Sequence, residues 1–292
     1  MEKKLRRSML YVPGSSEKML GKALTLDTDA LILDLEDGVA VSQKETARKQ
    51  ILQALKNVDF GEKERVVRIN ALVTEYGHAD LESIVEGRPD AILIPKIYGP
   101  AEMLEVDSII THLEAMNGTT PGQIKLMVMV ETPAAILNLP AIACCTERAT
   151  GLCFGAADFM KDTGGRITRS RREALFALTQ MVLAARVAGI DAIDTPYFNI
   201  KDGEGLEETA QMVRDLGFDG KCIIHPSQVE PVNRIFSPSP DEIDYARKVI
   251  DTYKEAEATG RGTVALDGEM IEALHVELAR RTLKIAERAG LI

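Results

Sequence analysis

Three carboxylates crowd the end of one short apolar run. Residues 30–33 (ALIL) lead directly into Asp34, and Glu36 and Asp37 follow within three positions. Asp34 and Glu36 are two residues apart, so on an extended strand they share one face. Burying an unpaired charge costs several kcal/mol. The segment therefore predicts a positive side chain or a metal ion beside it.

An arginine ends a second apolar run. Arg68 stands in VVRIN, and a guanidinium at a strand end can clamp a carboxylate through two parallel hydrogen bonds. The alternative is an ion pair with Asp34 or Glu36, and the two roles are compatible. Lys96, in IPK, offers a similar charge, or else it is a solvated lysine.

Two single carboxylates end two further runs. Glu131 follows LMVMV, and Asp158 follows CFGAA. Carboxylates at adjacent strand ends are a usual way to hold Mg²⁺, with water and substrate oxygens completing the octahedron. Alternatively, each caps a helix or pairs with a lysine. The carboxylate pattern has no His or Cys ligand beside it, because Cys153 belongs to the apolar run itself, and this favours Mg²⁺ or Mn²⁺ over zinc.

The elements that must position these groups alternate along the chain. Eight short β-rich runs are separated by helical patterns, which predicts an α/β fold, the (β/α)8 TIM barrel, whose active site lies at the carboxyl ends of the strands. A doubly wound open sheet is the alternative. The predicted strands cover residues 8–12, 30–35, 65–70, 91–95, 125–131, 151–155, 192–195 and 222–225.

Ser-x-x-Glu patterns at 42–45, 170–173 and 239–242 predict capping boxes at three helix starts. We expect residues 1–236 to form the barrel core. Residues 237–292 are predicted to form a C-terminal helical extension that packs on a neighbouring subunit.

Within that extension, one charged helix is expected over 241–259. A glycine-bearing turn follows at 260–262, and a second helical stretch begins at Thr263.

Composition narrows the partners. The chain has 292 residues, 45% apolar content and a net charge of −10, which argues against nucleic acid or an anionic membrane as partner. No run approaches the ~18 apolar residues of a membrane span. Four cysteines without a CxxC pair predict a reduced, cytoplasmic protein.

Several motifs, in order, resemble one known family. They are SMLYVPGSSEKM, LDLEDGV with a following KETAR, VVRIN, VMVETP, GAADF and GFDGKCIIHPSQV. Together they resemble the citrate lyase beta-chain-like branch of the HpcH/HpaI aldolase family, over about residues 6–270. The resemblance implies an Mg²⁺-dependent (β/α)8 enzyme that acts on short 3-hydroxyacyl thioesters and assembles as a homotrimer or hexamer.

The resemblance also implies roles for single residues. Glu131 and Asp158 would be the metal ligands and would meet the substrate there. Arg68 would bind the carboxylate of the oxo acid. Glu36 and Asp37 would stand behind the metal and hold its waters as part of the catalytic set.

Coenzyme A contacts are implied at the first strand end. Tyr11 and Lys22 match positions that contact coenzyme A in malyl-CoA lyases, where an arginine replaces Ser16 of this chain. Ala157, beside the metal ligand Asp158, is placed with the substrate-binding residues.

Asp267, in LDGEM, would be the acid/base, supplied across a subunit interface. Free coenzyme A enzymes resemble this chain in having aspartate there, whereas the beta chain of multi-subunit citrate lyase often has asparagine.

The predicted function is reversible cleavage of citramalyl-, malyl- or citryl-CoA into acetyl-CoA and a 2-oxo acid. The alternatives are a malyl-CoA thioesterase, a citrate lyase beta chain acting on a carrier-protein thioester, and a non-catalytic metabolite-binding protein.

Overall fold

A closed barrel of eight parallel strands, in sequential order around the ring, forms the centre of the computed structural model, which describes residues 4–292. The predicted (β/α)8 fold is confirmed. The strands are β1 (Ser8–Pro13), β2 (Ala30–Asp34), β3 (Glu64–Arg68), β4 (Ala91–Ile94), β5 (Lys125–Val130), β6 (Ala149–Phe154), β7 (Asp191–Asp194) and β8 (Gly220–Ile223).

Helices follow the strands. They are α1 (Glu17–Leu24), α2 (Lys44–Asn57), α3 (Gly77–Glu86), α4 (Pro100–Met116), α5 (Pro133–Cys144), α6 (Ala156–Thr163), α7 (Leu175–Ala188), α8 (Gly203–Leu216), α9 (Val229–Phe236), α10 (Pro240–Ala258) and α11 (Ala273–Arg288). None of the helices within residues 4–292 is long and apolar enough to cross a membrane.

Alternate residues of the strands fill the barrel interior, because successive side chains of a strand point to opposite faces. Apolar side chains pack together there, so the interior is a filled core of the kind usual in such barrels. Its members are Met9, Ala30, Ile32, Val66, Ala91, Leu93, Met127, Met129, Cys153, Ile193 and Cys222.

A buried ion-pair network closes the amino-terminal end of the barrel. The Arg6 guanidinium donates to both carboxylate oxygens of Glu64 at 2.7 Å and to Asp191 Oδ2 at 2.9 Å. These groups lie at the end opposite the predicted catalytic residues, so their role is to join β3 and β7 beneath the core.

Two of the three predicted capping boxes are wrong. A 3₁₀ turn, Val41–Gln43, precedes α2, so Ser42 lies outside the helix and caps nothing. Glu173 instead accepts hydrogen bonds from the backbone and hydroxyl of Thr168, and α7 begins only at Leu175. The box at Ser239 and Glu242 is confirmed.

The chain divides into two compact units, residues 6–233 and residues 234–292 with the two described residues before Arg6. Within the C-terminal unit, α10 and α11 are joined by a β-hairpin, β9 (Val264–Leu266) and β10 (Glu269–Ile271). The prediction of a helical stretch from Thr263 is therefore wrong over its first part. The hairpin packs Ile271 against Val249 and Val276 of the two helices.

Candidate active site

Strand alternation carries polar side chains to the carboxyl end of the barrel. Two positions beyond a core residue of the same strand lie Asp34 on β2, Arg68 on β3 and Glu131 just after β5. Each therefore continues the interior face of its strand. Asp34 and Arg68 are direct neighbours in the β2–β3 register.

Arg68 is locked in a bidentate ion pair, as its position beside Asp34 predicts. Nε and Nη2 lie 2.7 Å from Asp34 Oδ1 and Oδ2. The backbone N–H groups of Glu36 and Gly38 donate to the same carboxylate at 2.9 and 2.8 Å. A Cβ at position 38 would come within 2.5 Å of Asp34 Oδ2, so glycine is needed for this turn.

The third nitrogen of Arg68 faces the two remaining acidic residues. Nη1 lies 3.0 Å from Glu36 Oε2 and 3.8 Å from Asp37 Oδ2. The Tyr11 ring lies 4.8 Å from the guanidinium carbon, in cation–π range. Glu36 is buried, whereas Asp37 is exposed.

Burial raises the pKa of the Glu36 carboxyl from 4.5 to about 8; Arg68 opposes this shift, and Asp37 and Glu131 add to it. A carboxyl with that pKa is mostly protonated at neutral pH. The Lys44 ammonium, buried at the start of α2, donates to the backbone carbonyls of Leu35 and Glu36 at 2.7 and 2.6 Å. It holds the acidic turn in place without neutralising Glu36.

Glu131 and Asp158 share one cation. The Lys96 ammonium lies 3.0 Å from Asp158 Oδ2 and 3.4 Å from Glu131 Oε1. Asp158 comes from the first turn of α6, whereas Glu131 is almost fully buried. Burial raises the pKa of Glu131, and Lys96 opposes the shift.

The pair fits a divalent ion with oxygen ligands. A Cβ at Gly155 would lie 2.5 Å from Glu131 Cβ and 2.9 Å from its Oε2, so glycine provides the space that this carboxylate fills. Within residues 4–292, no cluster of three or more His, Cys, Asp or Glu side chains is arranged to hold a metal. Two carboxylates suit Mg²⁺, which usually keeps several waters.

The residues implied for coenzyme A lie in the β1–α1 segment, whereas Ala157, implied for the substrate, lies on α6. Lys22 is exposed in the last turn of α1, and Ser16 caps that helix by accepting from the Met19 N–H. Ala157 is exposed beside Asp158. The Tyr11 hydroxyl points inward, 3.6 Å from Met129 Sδ.

Asp267 lies at the exposed tip of the β9–β10 hairpin. With Gly268 it forms a two-residue turn in which both backbone φ angles are positive, 51° and 89°. Asp-Gly is a favoured pair for such a turn. The Asp-Gly pair is therefore the sequence signal for a hairpin at this position.

One arginine before α7 is buried, although its neighbours in the sequence are exposed. Arg171 is buried, and its Nη1 lies 2.7 Å from Asp194 Oδ2, which also contacts the buried Lys221 ammonium. His225, just after the end of β8, lies in a loop, with Nδ1 2.8 Å from the Ser227 hydroxyl. The sequence did not predict the role of Lys44, because a lysine in the first turn of a helix gives no local signal that it is buried.

A family model, HpcH/HpaI aldolase/citrate lyase, matches residues 7–226, and the chain belongs to that family. The family is enzymatic.

Named relatives cover nearly the whole chain. A (3S)-malyl-CoA thioesterase of Cereibacter sphaeroides is 43% identical over 281 residues, which are 96% of this chain and 94% of the relative. Citrate lyase subunit beta of Haemophilus influenzae is 37% identical over 284 residues, 97% and 98% of the two chains.

Among solved structures, CitE from Mycobacterium tuberculosis in complex with magnesium, acetoacetate and coenzyme A matches with a TM-score of 0.79 and 29% identity. The match covers 98% of each chain.

Proposed function

We propose that this protein is an Mg²⁺-dependent carbon–carbon lyase that cleaves a 3-hydroxyacyl-CoA reversibly into acetyl-CoA and a 2-oxo acid. Citramalyl-, malyl- and citryl-CoA are the candidate substrates. One observation carries the proposal: a locked arginine fork and a carboxylate pair sharing a cation stand at the same barrel end. The first suits an oxo-acid carboxylate, and the second suits a divalent ion.

Glu131 and Asp158 would hold Mg²⁺, or Mn²⁺ in its place. When bound, the ion supplies Lewis-acid polarisation of substrate oxygens. Magnesium and coenzyme A in the CitE complex support both cofactor assignments. Lys22 is exposed and would contact coenzyme A, and the exposed Ala157 would contact the substrate. The Tyr11 ring lies against the guanidinium of Arg68.

Arg68 would bind the carboxylate of the oxo-acid half. Asp34 fixes its plane through Nε and Nη2, which leaves Nη1 directed toward Glu36 and Asp37. Because the Glu36 carboxyl has a pKa of about 8, it is largely neutral at pH 7 and leaves much of the guanidinium charge available for a substrate anion. A pre-oriented cation of this kind stabilises charge that develops during reaction.

Cleavage breaks the carbon–carbon bond next to the hydroxyl-bearing carbon. The electron pair stays on the thioester fragment, and the hydroxyl gives its proton to solvent as it becomes the oxo-acid carbonyl. The thioester fragment then needs a proton at the carbon beside its carbonyl, and solvent returns a proton to the donor after each turnover. Asp267, in its acid form, would donate that proton from a neighbouring subunit of a homotrimer or hexamer.

A thioesterase is the second candidate, because a relative of that name is 43% identical. The same groups would then serve attack of water on the thioester carbonyl, with free coenzyme A as product. A citrate lyase beta chain acting on a carrier-protein thioester is a further candidate, given relatives with that name.

The test is the product of Mg²⁺-dependent cleavage of malyl- and citramalyl-CoA, with Glu131→Ala and Asp158→Ala as variants. A lyase releases acetyl-CoA and an oxo acid, and both variants abolish the EDTA-sensitive rate. Release of free coenzyme A alone would favour the thioesterase. Unchanged rates in both variants would refute the metal site.

A further inference from the structure

The Lys96 ammonium stands where a metal ion would have to make its contacts. Its Nζ lies within 3.4 Å of an oxygen of each carboxylate proposed to hold Mg²⁺. Glu131 and Asp158 would otherwise be two neighbouring anions with no shared counter-charge. A bound divalent ion would need the same oxygens, so the ammonium and the metal compete for them.

The backbone of Lys96 is also directed at the site. Its φ is +55°, in the left-handed region that residues other than glycine rarely adopt. In this conformation its backbone N–H donates to Glu131 Oε1 at 2.7 Å, the same oxygen that its ammonium approaches. A strained residue is retained where the surrounding structure holds it, often at functional sites. Glycine would fit this backbone better, so the presence of lysine points to a use for its side chain.

Lys96 can leave the site, whereas Arg68 cannot. The Lys96 side chain is 28% exposed, and the Arg68 side chain is 9% exposed and held at three points by Asp34 and Glu36. A lysine has a flexible four-carbon stem and a strongly hydrated head, so its ammonium can move into water.

We infer that Lys96 is a resident counter-ion that occupies the metal position in the metal-free enzyme and is displaced when Mg²⁺ binds. It is a positioning residue: it keeps Glu131 and Asp158 together as anions and lowers the affinity of the site for the metal. The inference rests on the metal site of the proposed function. Beyond that function, Lys96 sets the affinity of the site for Mg²⁺.

The experiment is calorimetric titration of EDTA-treated protein with Mg²⁺ alone, without substrate. Lys96→Met removes the ammonium, and Lys96→Gly removes it while relieving the backbone strain. Lys161→Met is the matched control, because that lysine lies 3.9 Å from Asp158 but its side chain is 77% exposed. Both Lys96 variants should bind Mg²⁺ about tenfold more tightly than wild type, the control within about twofold.

Thermal melting gives a second readout. In EDTA, both Lys96 variants should melt below wild type, because two carboxylates then repel each other without a counter-ion. In saturating Mg²⁺ the deficit should disappear. A residue needed only for packing would lower the melting temperature equally in both conditions, and that result would overturn the inference.

Mg²⁺ affinity at or below the wild-type value in both Lys96 variants would also overturn it, while leaving the metal site intact. Failure of wild type to bind Mg²⁺ would overturn both. When wild type does bind, Glu131→Gln should lose that binding, which places the titrated ion at the proposed site; unchanged binding in Glu131→Gln would overturn both.

Discussion

At the residue scale, recognition depends on how firmly Arg68 is held. Two charge-assisted hydrogen bonds fix its plane, and two backbone N–H groups fix the Asp34 carboxylate in turn. The pair is buried, so removing one partner leaves an uncompensated charge. A lysine cannot reproduce the fork, because an ammonium is a point charge.

Arg68→Lys should therefore lower kcat/KM by about a hundredfold or more, a loss typical of removing one charge-stabilising donor. Steady-state cleavage of malyl- or citramalyl-CoA at saturating Mg²⁺ measures it. Arg65→Lys is the matched control, since Arg65 is on the same strand but pairs with Asp90, away from the interior face. Equal rates for Arg68→Lys and this control would remove Arg68 from the proposed site.

The raised pKa of Glu36 makes stability depend on pH in the metal-free protein. The folded state binds this proton more tightly than the unfolded state, since the pKa rises from 4.5 to about 8. The protonated Glu36 carboxyl thus makes its full contribution to the free energy of unfolding below about pH 4.5, and this contribution is lost as pH rises through 8. The Gln side chain of Glu36→Gln stays neutral at every pH. The free energy of unfolding of this variant should therefore fall less as pH rises, by on the order of a few kcal/mol.

Urea unfolding in EDTA at pH 5 and pH 8 measures the effect. Glu45→Gln serves as control, because Glu45 is exposed on α2 and its pKa is lowered by Lys49 rather than raised. Parallel pH dependence in wild type and Glu36→Gln would mean that Glu36 is not protonated in the folded state.

The sequence predicts some of these contacts and charge states and not others. The Asp34–Arg68 pair follows from strand order, since neighbouring strands bring their end residues together. The left-handed backbone of Lys96 does not follow, because lysine gives no local signal for positive φ. The protonation of Glu36 depends on burial by side chains distant in the chain, which one local motif cannot reveal.

At the element scale, local sequence patterns predicted which helices and strands form better than they predicted where each helix begins. The same Ser-x-x-Glu pattern caps α10 but fails before α2 and α7, where 3₁₀ turns intervene. In the C-terminal unit, apolar residues around Asp267 fit both a helix and a hairpin. The Asp-Gly pair decides for the hairpin, because two successive positive φ angles end any helix.

Asp267→Asn should remove turnover and leave oxo-acid binding within about twofold. Asn-Gly supports the same turn as Asp-Gly, so the hairpin survives, but an amide has no proton of suitable acidity to transfer. Turnover is measured with the CoA thioester, and binding by calorimetry with pyruvate or glyoxylate.

Glu269→Gln, a change in the neighbouring hairpin carboxylate that contacts Tyr245, is the control and should retain activity. Full turnover in Asp267→Asn would show that Asp267 is not the proton donor.

At the scale of the whole molecule, the barrel was predictable because every unit repeats one pattern. Eight apolar strands alternate with helices, and interior alternation brings side chains from β2, β3 and β5 to one end. Whether the Asp267 hairpin meets a second subunit is not predictable from the sequence, since no periodic signal encodes contacts between subunits. Nor is the substrate, because one methyl or carboxymethyl changes the required pocket by only a few atoms.

The proposed function requires carbon–carbon bond chemistry at the Glu131–Asp158 pair. This chemistry can be measured in the condensation direction, by mass spectrometry of wild type with Mg²⁺, acetyl-CoA or propionyl-CoA, and pyruvate, glyoxylate or oxaloacetate. We predict one adduct that carries both acyl-CoA and oxo acid and that is absent with EDTA. Hydrolysis of the thioester, with no adduct from any combination of acyl-CoA and oxo acid, would contradict the proposed lyase function.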